Sequence, residues 1–230
     1  PAVLGHINLE TKYALDTFGF KHIYRLNDVK LQIKDVNYHR GCFIDKNLSI
    51  KDAFDYMNKY SLTGIPVVEN KDKYYGYVSL KEIARETING DYHIINTSYG
   101  NILNILKGEK ILKFDKEITG YVLSTTFSKE TFLEKVDLNN DSIVVCADRK
   151  TILEYAIDCK VKLIIMVAGT KPHSDLLAKA RANKVNIIST ELGSYDVSKL
   201  ISLSNYIKNF IREEESVTFM EVEYLNVYKN

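Results

Sequence analysis

Cysteine is scarce in this sequence, and the way it is arranged excludes two kinds of site. Cys42, Cys146 and Cys159 are an odd number, they form no CxxC pair, and no histidine follows them at a metal-ligand spacing. A disulfide scaffold and a structural zinc site both need such pairs or spacings. We therefore expect a reduced, cytoplasmic protein without a structural metal in this chain.

Net charge and long apolar runs are also lacking. The 31 basic and 30 acidic side chains leave a net charge of +1, which gives no general electrostatic reason to expect nucleic acid or an anionic membrane as partner. The longest apolar stretch, VKLIIMVAG at 161–169, is far shorter than the roughly 20 residues that cross a bilayer. No signal-peptide pattern follows Pro1. Because the sequence starts without Met, we expect a piece of a longer protein.

What the sequence does contain is enough apolar material for more than one core. Apolar residues make up 45% of the 230 positions, a size and composition that favour two domains. The first stretch, residues 2–20, predicts a short strand and a helix with Tyr13, Ala14 and Phe18 on one buried face and Gly19 at its end. This stretch alone is too small to fold.

Residues 30–91 predict a compact module with the order β-α-β-β-α. Capping boxes at 49–52 and 79–82 open two helices, and strands lie at 41–45, 65–69 and 74–79. The first helix is expected to bury Ile50, Ala53, Phe54 and Met57, which follow the i, i+3, i+4, i+7 pattern. The resulting sheet has helices on one face, so its other face needs a partner.

From residue 99 onward the pattern predicts a three-layer α/β domain with a parallel sheet. Apolar strands at 142–147, 162–168 and 185–190 alternate with helices at 150–159, 174–183 and 194–211. Further strand candidates lie at 110–115 and 120–127. Ligands of such sheets bind beyond the carboxyl ends of the strands, which here are the loops at 147–149, 169–171 and 190–191.

Three segments resemble known families. FIDKNLSIKDAFDYMNKYSLTGIPVVENKDKYYGYVSLKEIARE at 43–86 resembles a CBS domain, with Ser-x-x-Asp-Ala at the helix start and Gly-Ile-Pro-Val-Val in the next strand. AVLGHINLETKYALDTFGF at 2–20 resembles the Leu-Gly-x-Ile-Asn-x-Glu-Thr segment of manganese-dependent family II inorganic pyrophosphatases. Residues 99–210 resemble the DRTGG domain, which in one pyrophosphatase subfamily lies between two CBS domains.

The resemblance implies the regulatory region of a CBS-domain-containing pyrophosphatase, an enzyme that cleaves diphosphate into two phosphates. The expected organisation is a fragment of the catalytic domain at 1–29, a CBS domain at 30–95, a DRTGG-like domain at 96–212 and the start of a second CBS domain at 213–230. Gly5-His6 is followed by Leu9 and Thr11 where that family's metal site has acidic residues. We therefore expect no hydrolysis by this chain; manganese would belong to the intact enzyme.

By the same resemblance, AMP, ADP, ATP or a diadenosine polyphosphate binds between two CBS modules. Pro66 holds the preceding backbone extended beside the base, and Gly64 has no side chain to block a flat ring. Ser79 and Lys81 offer a hydroxyl and a cation to phosphate at a helix start. Glu82 stands where many nucleotide-binding CBS domains have Asp, and Lys81 where a small hydroxyl residue is common. The candidate nucleotide-binding residues are Thr63, Gly64, Ile65, Pro66, Ser79, Lys81 and Glu82.

Two other functions remain open from the residues. The CBS-like face could pack against another copy, giving a homodimer, or against the catalytic domain, and hold no nucleotide. Catalysis in the α/β domain around Asp148 and Gly169 is the third possibility, although no base and nucleophile stand together and Cys146 fits a core position. Tyr75 and Tyr77 share one strand face, where packing is favoured but a ring could also lie along an adenine.

Overall fold

The structure, a computed structural model, describes residues 2–3, 6–20, 24–25, 41–71, 73–90, 93–125 and 129–211. The chain divides into two units, Pro1–Gly41 and Cys42–Asn230, and each is considered by itself. The tail at 213–230, predicted to begin a second CBS domain, lies outside the described residues, as does Gly5.

The first unit contains a short parallel ribbon and one helix. Strand β1 (Ala2–Val3) pairs with β2 (Tyr24–Arg25), and helix α1 (Leu9–Thr17) begins at Asn8, whose side chain accepts a hydrogen bond from the Thr11 amide at 2.7 Å. The predicted buried face is wrong: no residue of α1 is buried, and Tyr13 and Phe18 are 75% and 77% exposed. Within the described residues, this unit offers α1 only a two-stranded ribbon to pack against.

The second unit begins with a three-stranded sheet, here called the small sheet. Strand β3 (Ile44–Asp45) runs parallel to β4 (Gly64–Glu69), which pairs antiparallel with β5 (Lys73–Ser79). Helices α2 (Ile50–Lys59) and α3 (Leu80–Asn89) follow β3 and β5. The predicted β-α-β-β-α order is confirmed.

A single core lies between the small sheet and its helices. It is formed by Ile44, Ile50, Ala53, Met57, Ile65, Val67, Val78, Ile83 and Ile207. Phe54, predicted to be buried, is 46% exposed. The stripe that faces this narrow sheet passes through residues 50, 53 and 57, and Phe54 lies one position to its side.

The remainder of the second unit is built on a larger mixed sheet. Its strands are β6 (Ile94–Ser98), β7 (Glu109–Leu112), β8 (Glu117–Ser124), β9 (Ser142–Cys146), β10 (Leu163–Met166) and β11 (Asn186–Ser189), in the spatial order β6-β8-β9-β10-β11-β7. The helices are α4 (Tyr99–Ile105), α5 (Lys129–Lys135), α6 (Lys150–Asp158), α7 (Ser174–Ala182) and α8 (Ser194–Leu200).

This larger sheet confirms the α/β prediction and corrects it at the edges. The four central strands are parallel, whereas the edge strands β6 and β7 pair antiparallel with their neighbours. Separate apolar clusters form on the two faces, one with α6 and α7 and the other with α4 and α8. The domain therefore has three layers, as predicted.

The predicted helix over 194–211 is wrong in its second half. Helix α8 ends at Leu200, and short 3-10 turns follow at Ile201–Ser204 and Ile207–Phe210. Residues 205–211, here called the return segment, leave the larger sheet and rejoin the small-sheet module. The Ile50 amide donates to the Asn205 carbonyl at 3.0 Å, and the Ile207 amide donates to the Leu48 carbonyl at 2.8 Å. Backbone partners on another element thus end the helix.

Candidate functional site

Strand pairing brings the candidate nucleotide-binding residues to one end of the small sheet. Gly64 lies opposite Ser79, and Pro66 lies opposite Tyr77. Ser79 is also the N-cap of α3, and the Leu80 amide donates to the Thr63 carbonyl at 2.9 Å. The end of one strand pair and the start of one helix therefore form a single corner, although the residues come from separate parts of the sequence.

The exposure of these residues limits what each can contribute. Thr63 and Lys81 are exposed, so their side chains face solvent. Ile65 is fully buried in the small-sheet core, and only its backbone is available to a ligand. Gly64, Pro66, Ser79 and Glu82 are half-buried. The corner therefore offers backbone, the hydroxyls of Thr63 and Ser79, the Glu82 carboxylate and the solvated Lys81 cation.

The start of α3 is a complete capping box, as predicted. The Ser79 hydroxyl oxygen accepts from the Glu82 amide at 3.2 Å, and Glu82 Oε2 accepts from the Ser79 amide at 2.8 Å. The Ser79 hydroxyl also donates to the same Oε2 at 2.8 Å. Of the three side chains predicted to contact ribose or phosphate, Ser79 and Glu82 are thus engaged in capping the helix, and Lys81 is not part of the capping box.

The space over Gly64 holds a side chain of the protein itself. A Cβ atom placed on Gly64 would lie 1.9 Å from Tyr77 Oη and 2.4 Å from Tyr77 Cζ. Sequence reasoning placed Tyr75 and Tyr77 on one face, but it assigned the space over Gly64 to a flat ligand. The reach of Tyr77 along the sheet toward residue 64 has no local sequence signal, because it depends on the pairing of β4 with β5.

A charged cluster that sequence reasoning missed lies at the other end of the small sheet. Lys46 forms an ion pair with Glu69, which is also paired with Lys73 at 3.3 Å. The hydrogen bond from Lys46 is the main reason that the pKa of Glu69 is lowered, and the same bond raises the pKa of Lys46. The Lys46 ammonium also lies 4.8 Å from the centre of the Tyr75 ring. These ion pairs link the ends of β3, β4 and β5. The face of the small sheet that does not carry α2 and α3 is here called the open face.

The loops at the carboxyl ends of the larger sheet are occupied by structural contacts. The Thr170 hydroxyl donates to the Val167 carbonyl at 2.8 Å, Lys171 pairs with Glu109 at 2.6 Å, and Arg149 donates to the Thr125 carbonyl at 3.0 Å. The Glu191 carboxylate packs beside Gly169, whose φ is +67°. The polar side chains of these loops are therefore bonded to other groups of the protein.

No catalytic arrangement accompanies those loops in the part of the chain that the structure describes. Cys146 is 2% exposed, and burial raises the pKa of its thiol to about 12, so it is not an activated nucleophile. Among the described residues, no group of three or more His, Cys, Asp or Glu side chains could hold a metal ion. In the same residues, no helix is long and apolar enough to cross a membrane.

A cavity of about 300 Å³ lies away from the corner, between the two sheet modules. Its apolar wall includes Ile50, Leu203 and Phe210, and its polar wall includes Asn96, Asn205 and Asn209. The Asn205 side chain accepts from the Asn96 amide at 2.6 Å and donates to the Ile94 carbonyl at 3.3 Å. The Asn205 side chain therefore attaches the return segment to strand β6.

Comparison with protein families assigns both modules. A family model described as the CBS domain matches residues 33–89, and one described as the DRTGG domain matches residues 101–204. The chain thus contains a CBS domain, built on the small sheet, followed by a DRTGG domain, built on the larger sheet.

Comparison with individual proteins relates the chain to a curated pyrophosphatase and to a solved regulatory region. The cobalt-dependent inorganic pyrophosphatase of Clostridium perfringens (strain 13 / Type A) is 29% identical over 207 residues, which are 87% of this chain and 37% of that protein. The chain therefore spans little more than a third of the relative's length. The crystal structure of the CBS and DRTGG domains of the regulatory region of Clostridium perfringens pyrophosphatase, complexed with the activator diadenosine tetraphosphate, superposes with a TM-score of 0.73. It is 24% identical, covers 84% of this chain and 91% of that chain, and shows a common fold.

Proposed function

We propose that this chain, a CBS domain followed by a DRTGG domain with homology to the regulatory region of a clostridial pyrophosphatase, senses adenine nucleotides for an inorganic pyrophosphatase. AMP, ADP, ATP or a diadenosine polyphosphate binds at the corner formed by the start of β4, the end of β5 and the start of α3. The chain itself performs no hydrolysis. Binding shifts the intact enzyme between less active and more active arrangements.

The observation that carries this proposal is the strand register at the corner. Because Gly64 faces Ser79 and Pro66 faces Tyr77, extended backbone that can hydrogen-bond a base lies beside the N-terminus of a ten-residue helix, α3. A helix N-terminus attracts phosphate through its amide groups and dipole. The two halves of an adenine nucleotide thus find matching chemistry within one short surface. The solved relative named above was crystallised with a nucleotide activator, which supports this ligand class.

The metal and the catalytic residues of the proposed enzyme lie outside this chain. The sequence resemblance predicts manganese, whereas the curated relative is named for cobalt, so we propose a divalent transition metal without choosing between them. The catalytic domain and a second CBS module of the same protein are the proposed partners, in a cytoplasmic homodimer. Both metals suit the carboxylate and imidazole ligands expected in such a domain.

The return segment explains how a change at the CBS domain would reach the DRTGG domain. A ligand shifts an equilibrium only by binding one state more tightly than the other. The Asn209 amide donates to the Asn96 carbonyl at 3.1 Å, and Ile207 is fully buried in the CBS core. A rotation of the CBS sheet therefore moves strand β6 of the DRTGG domain as well.

A second candidate function is an interaction module that holds no nucleotide. Two features of the corner favour it: Tyr77 covers Gly64, and Glu82 turns back onto Ser79. In that case the open face packs against another copy or against the catalytic domain.

Isothermal titration calorimetry with AMP, ADP, ATP and diadenosine tetraphosphate separates the two candidates. Sensing predicts saturable heat with at least one of these ligands, and circular dichroism and a cooperative thermal transition verify that the protein is folded. The absence of saturation with all four, for this chain and for the intact enzyme, would reject sensing. Sedimentation velocity then tests whether the chain self-associates.

A further inference from the structure

Tyr77 and Gly64 form an unusually close contact on the open face of the small sheet. The phenol end of the ring lies where a Cβ of residue 64 would be, with Tyr77 Oη at 1.9 Å, Cζ at 2.4 Å and Cε1 at 3.0 Å from that point. Tyr77 is paired directly with Pro66, and Gly64 is the diagonal neighbour two residues along β4. Diagonal neighbours on a sheet face are within reach of an aromatic side chain. Only glycine at position 64 admits the ring in this orientation.

The Tyr77 ring also lies between Gly64 of β4 and the first turn of α3. Tyr77 is half-buried, and the pKa of its hydroxyl is raised, first by burial and then by the negative charge of Glu82. The hydroxyl end of the ring is therefore near the helix cap as well as near Gly64. It covers the junction of the two surfaces that hold base and phosphate in the proposed function.

We infer that Tyr77 gates this nucleotide site: its ring occupies the place of the base over Gly64, and a nucleotide binds only when the ring rotates away. The inference rests on the proposed function and adds a regulatory residue to it. Rotation about χ1 moves an aromatic side chain between staggered positions without changing the strand backbone. Tyr75, two residues before Tyr77 on β5, is 43% exposed, so this part of the strand has room for the ring beyond the corner.

The gate has a quantitative consequence for affinity. When the binding-competent form is only a fraction of the population, the apparent dissociation constant equals the intrinsic constant divided by that fraction. A ring that covers Gly64 most of the time thus weakens nucleotide binding. Its removal strengthens binding even though a contact surface has been taken away, which is the opposite of what a stacking residue would do.

The test compares AMP binding by calorimetry in the wild-type chain, Tyr77→Ala and Tyr75→Ala. We expect Tyr77→Ala to bind AMP about tenfold more tightly, the change produced by raising the open fraction from about a tenth to near one. Tyr75→Ala, on the same strand but beside Lys46 and away from Gly64, is the matched control and should stay within about twofold of wild type. Tyr77→Val, which places a β-branched residue in the strand and is too short to reach Gly64, repeats the test if alanine destabilises the fold.

The possible outcomes separate the gate from the site that it covers. Tighter binding by both Tyr77 variants than by wild type supports the gate. Equal affinity in all proteins, or weaker binding in both Tyr77 variants, overturns the gate and leaves the nucleotide site in place. The absence of binding in the wild type and in both folded Tyr77 variants overturns the gate and the proposed function together.

Discussion

The hydroxyl of Tyr206 donates to Glu117 Oε2 at 2.6 Å, which links the return segment to strand β8 of the DRTGG domain. Tyr206 is 3% exposed, and its backbone forms a bridge with Ser49 at the start of α2. One residue therefore contacts both domains. The geometry makes Tyr206 a junction through which the stability of one domain depends on the other.

Replacement of Tyr206 by phenylalanine tests this junction through pH. Burial and then the bond to Glu117 raise the pKa of Tyr206 to about 12, compared with about 10 in an unfolded chain. A raised pKa gives a stabilisation that is complete below pH 10 and is lost as the pH rises toward 12. We expect the difference in free energy of unfolding between wild type and Tyr206→Phe to shrink by on the order of 2 kcal/mol across that window.

Urea unfolding at intervals between pH 8 and pH 11 measures the first part of this loss. Tyr195→Phe, at a position that is 78% exposed, is the control and should leave the pH dependence of wild type unchanged. A gap between wild type and Tyr206→Phe that stays constant with pH would contradict the assignment.

Gly76 is expected to be important for stability because the Ile211 side chain packs against it. A Cβ on Gly76 would lie 2.4 Å from Ile211 Cγ2, so the return segment packs directly on the core face of β5. We expect Gly76→Ala to lower the free energy of unfolding by about 1–3 kcal/mol, as overpacking does in a close-packed core. In Gly76→Ala/Ile211→Ala the methyl group has room, so the double variant should lose less stability than the two single changes add up to.

Gly100→Ala is the matched control for that experiment. Gly100 lies in α4, and the nearest atom to an added Cβ, the Ser98 hydroxyl oxygen, is 3.7 Å away. Because alanine is the better helix former, this change should be neutral or stabilise by up to about 1 kcal/mol. Strict additivity in the Gly76 and Ile211 pair would show that the return segment is not packed there in solution.

The reactivity of the cysteines tests whether Cys146 of the DRTGG domain can act as a nucleophile. Cys146 is buried in β9, whereas Cys42 and Cys159 are half-buried. Because the thiolate is the reactive form, we expect Cys42 and Cys159 to be alkylated by iodoacetamide at pH 8 well before Cys146. Mass spectrometry of peptides taken over time gives the three rates, and denatured protein gives the reference. Fast labelling of Cys146 in the folded protein would reopen a catalytic role.

The parts of the fold that were predictable from sequence are those encoded by local patterns. The capping box at Ser79, the N-cap at Ser49, the strand Gly64–Glu69 and the alternation of strands and helices after Ser142 depend on residues a few positions apart. The break after Leu200 was not predictable in this way, because apolar periodicity continues through Ile207 and Ile211. Hydrogen bonds with Leu48 and Ile50 decide the conformation there, and these partners lie in another domain.

The candidate corner shows the same division. By resemblance to CBS domains, Thr63–Pro66 and Ser79–Glu82 were predicted to form one site, and strand pairing places the two stretches side by side. The position of Tyr77 over Gly64 follows from side-chain direction across a strand pair, which no spacing within either strand specifies. The binding of nucleotide to these residues stays a prediction.

Glu82→Asp separates the capping role of this carboxylate from its ligand role. Glu82 reaches back to the Ser79 amide and hydroxyl, and a side chain one methylene shorter loses part of that reach. The shortened carboxylate is instead free to accept hydrogen bonds from ribose hydroxyl groups. A hydrogen bond to a charged group contributes about 1.5–3 kcal/mol, so we expect AMP affinity to rise by about tenfold, and the melting temperature to fall slightly because the capping box is weakened.

Calorimetry and thermal unfolding measure the two effects, and Glu86→Asp, the same change one turn further along α3, should leave the affinity unaltered. Weaker AMP binding by Glu82→Asp would mean that the longer side chain already contacts the ligand through its second oxygen.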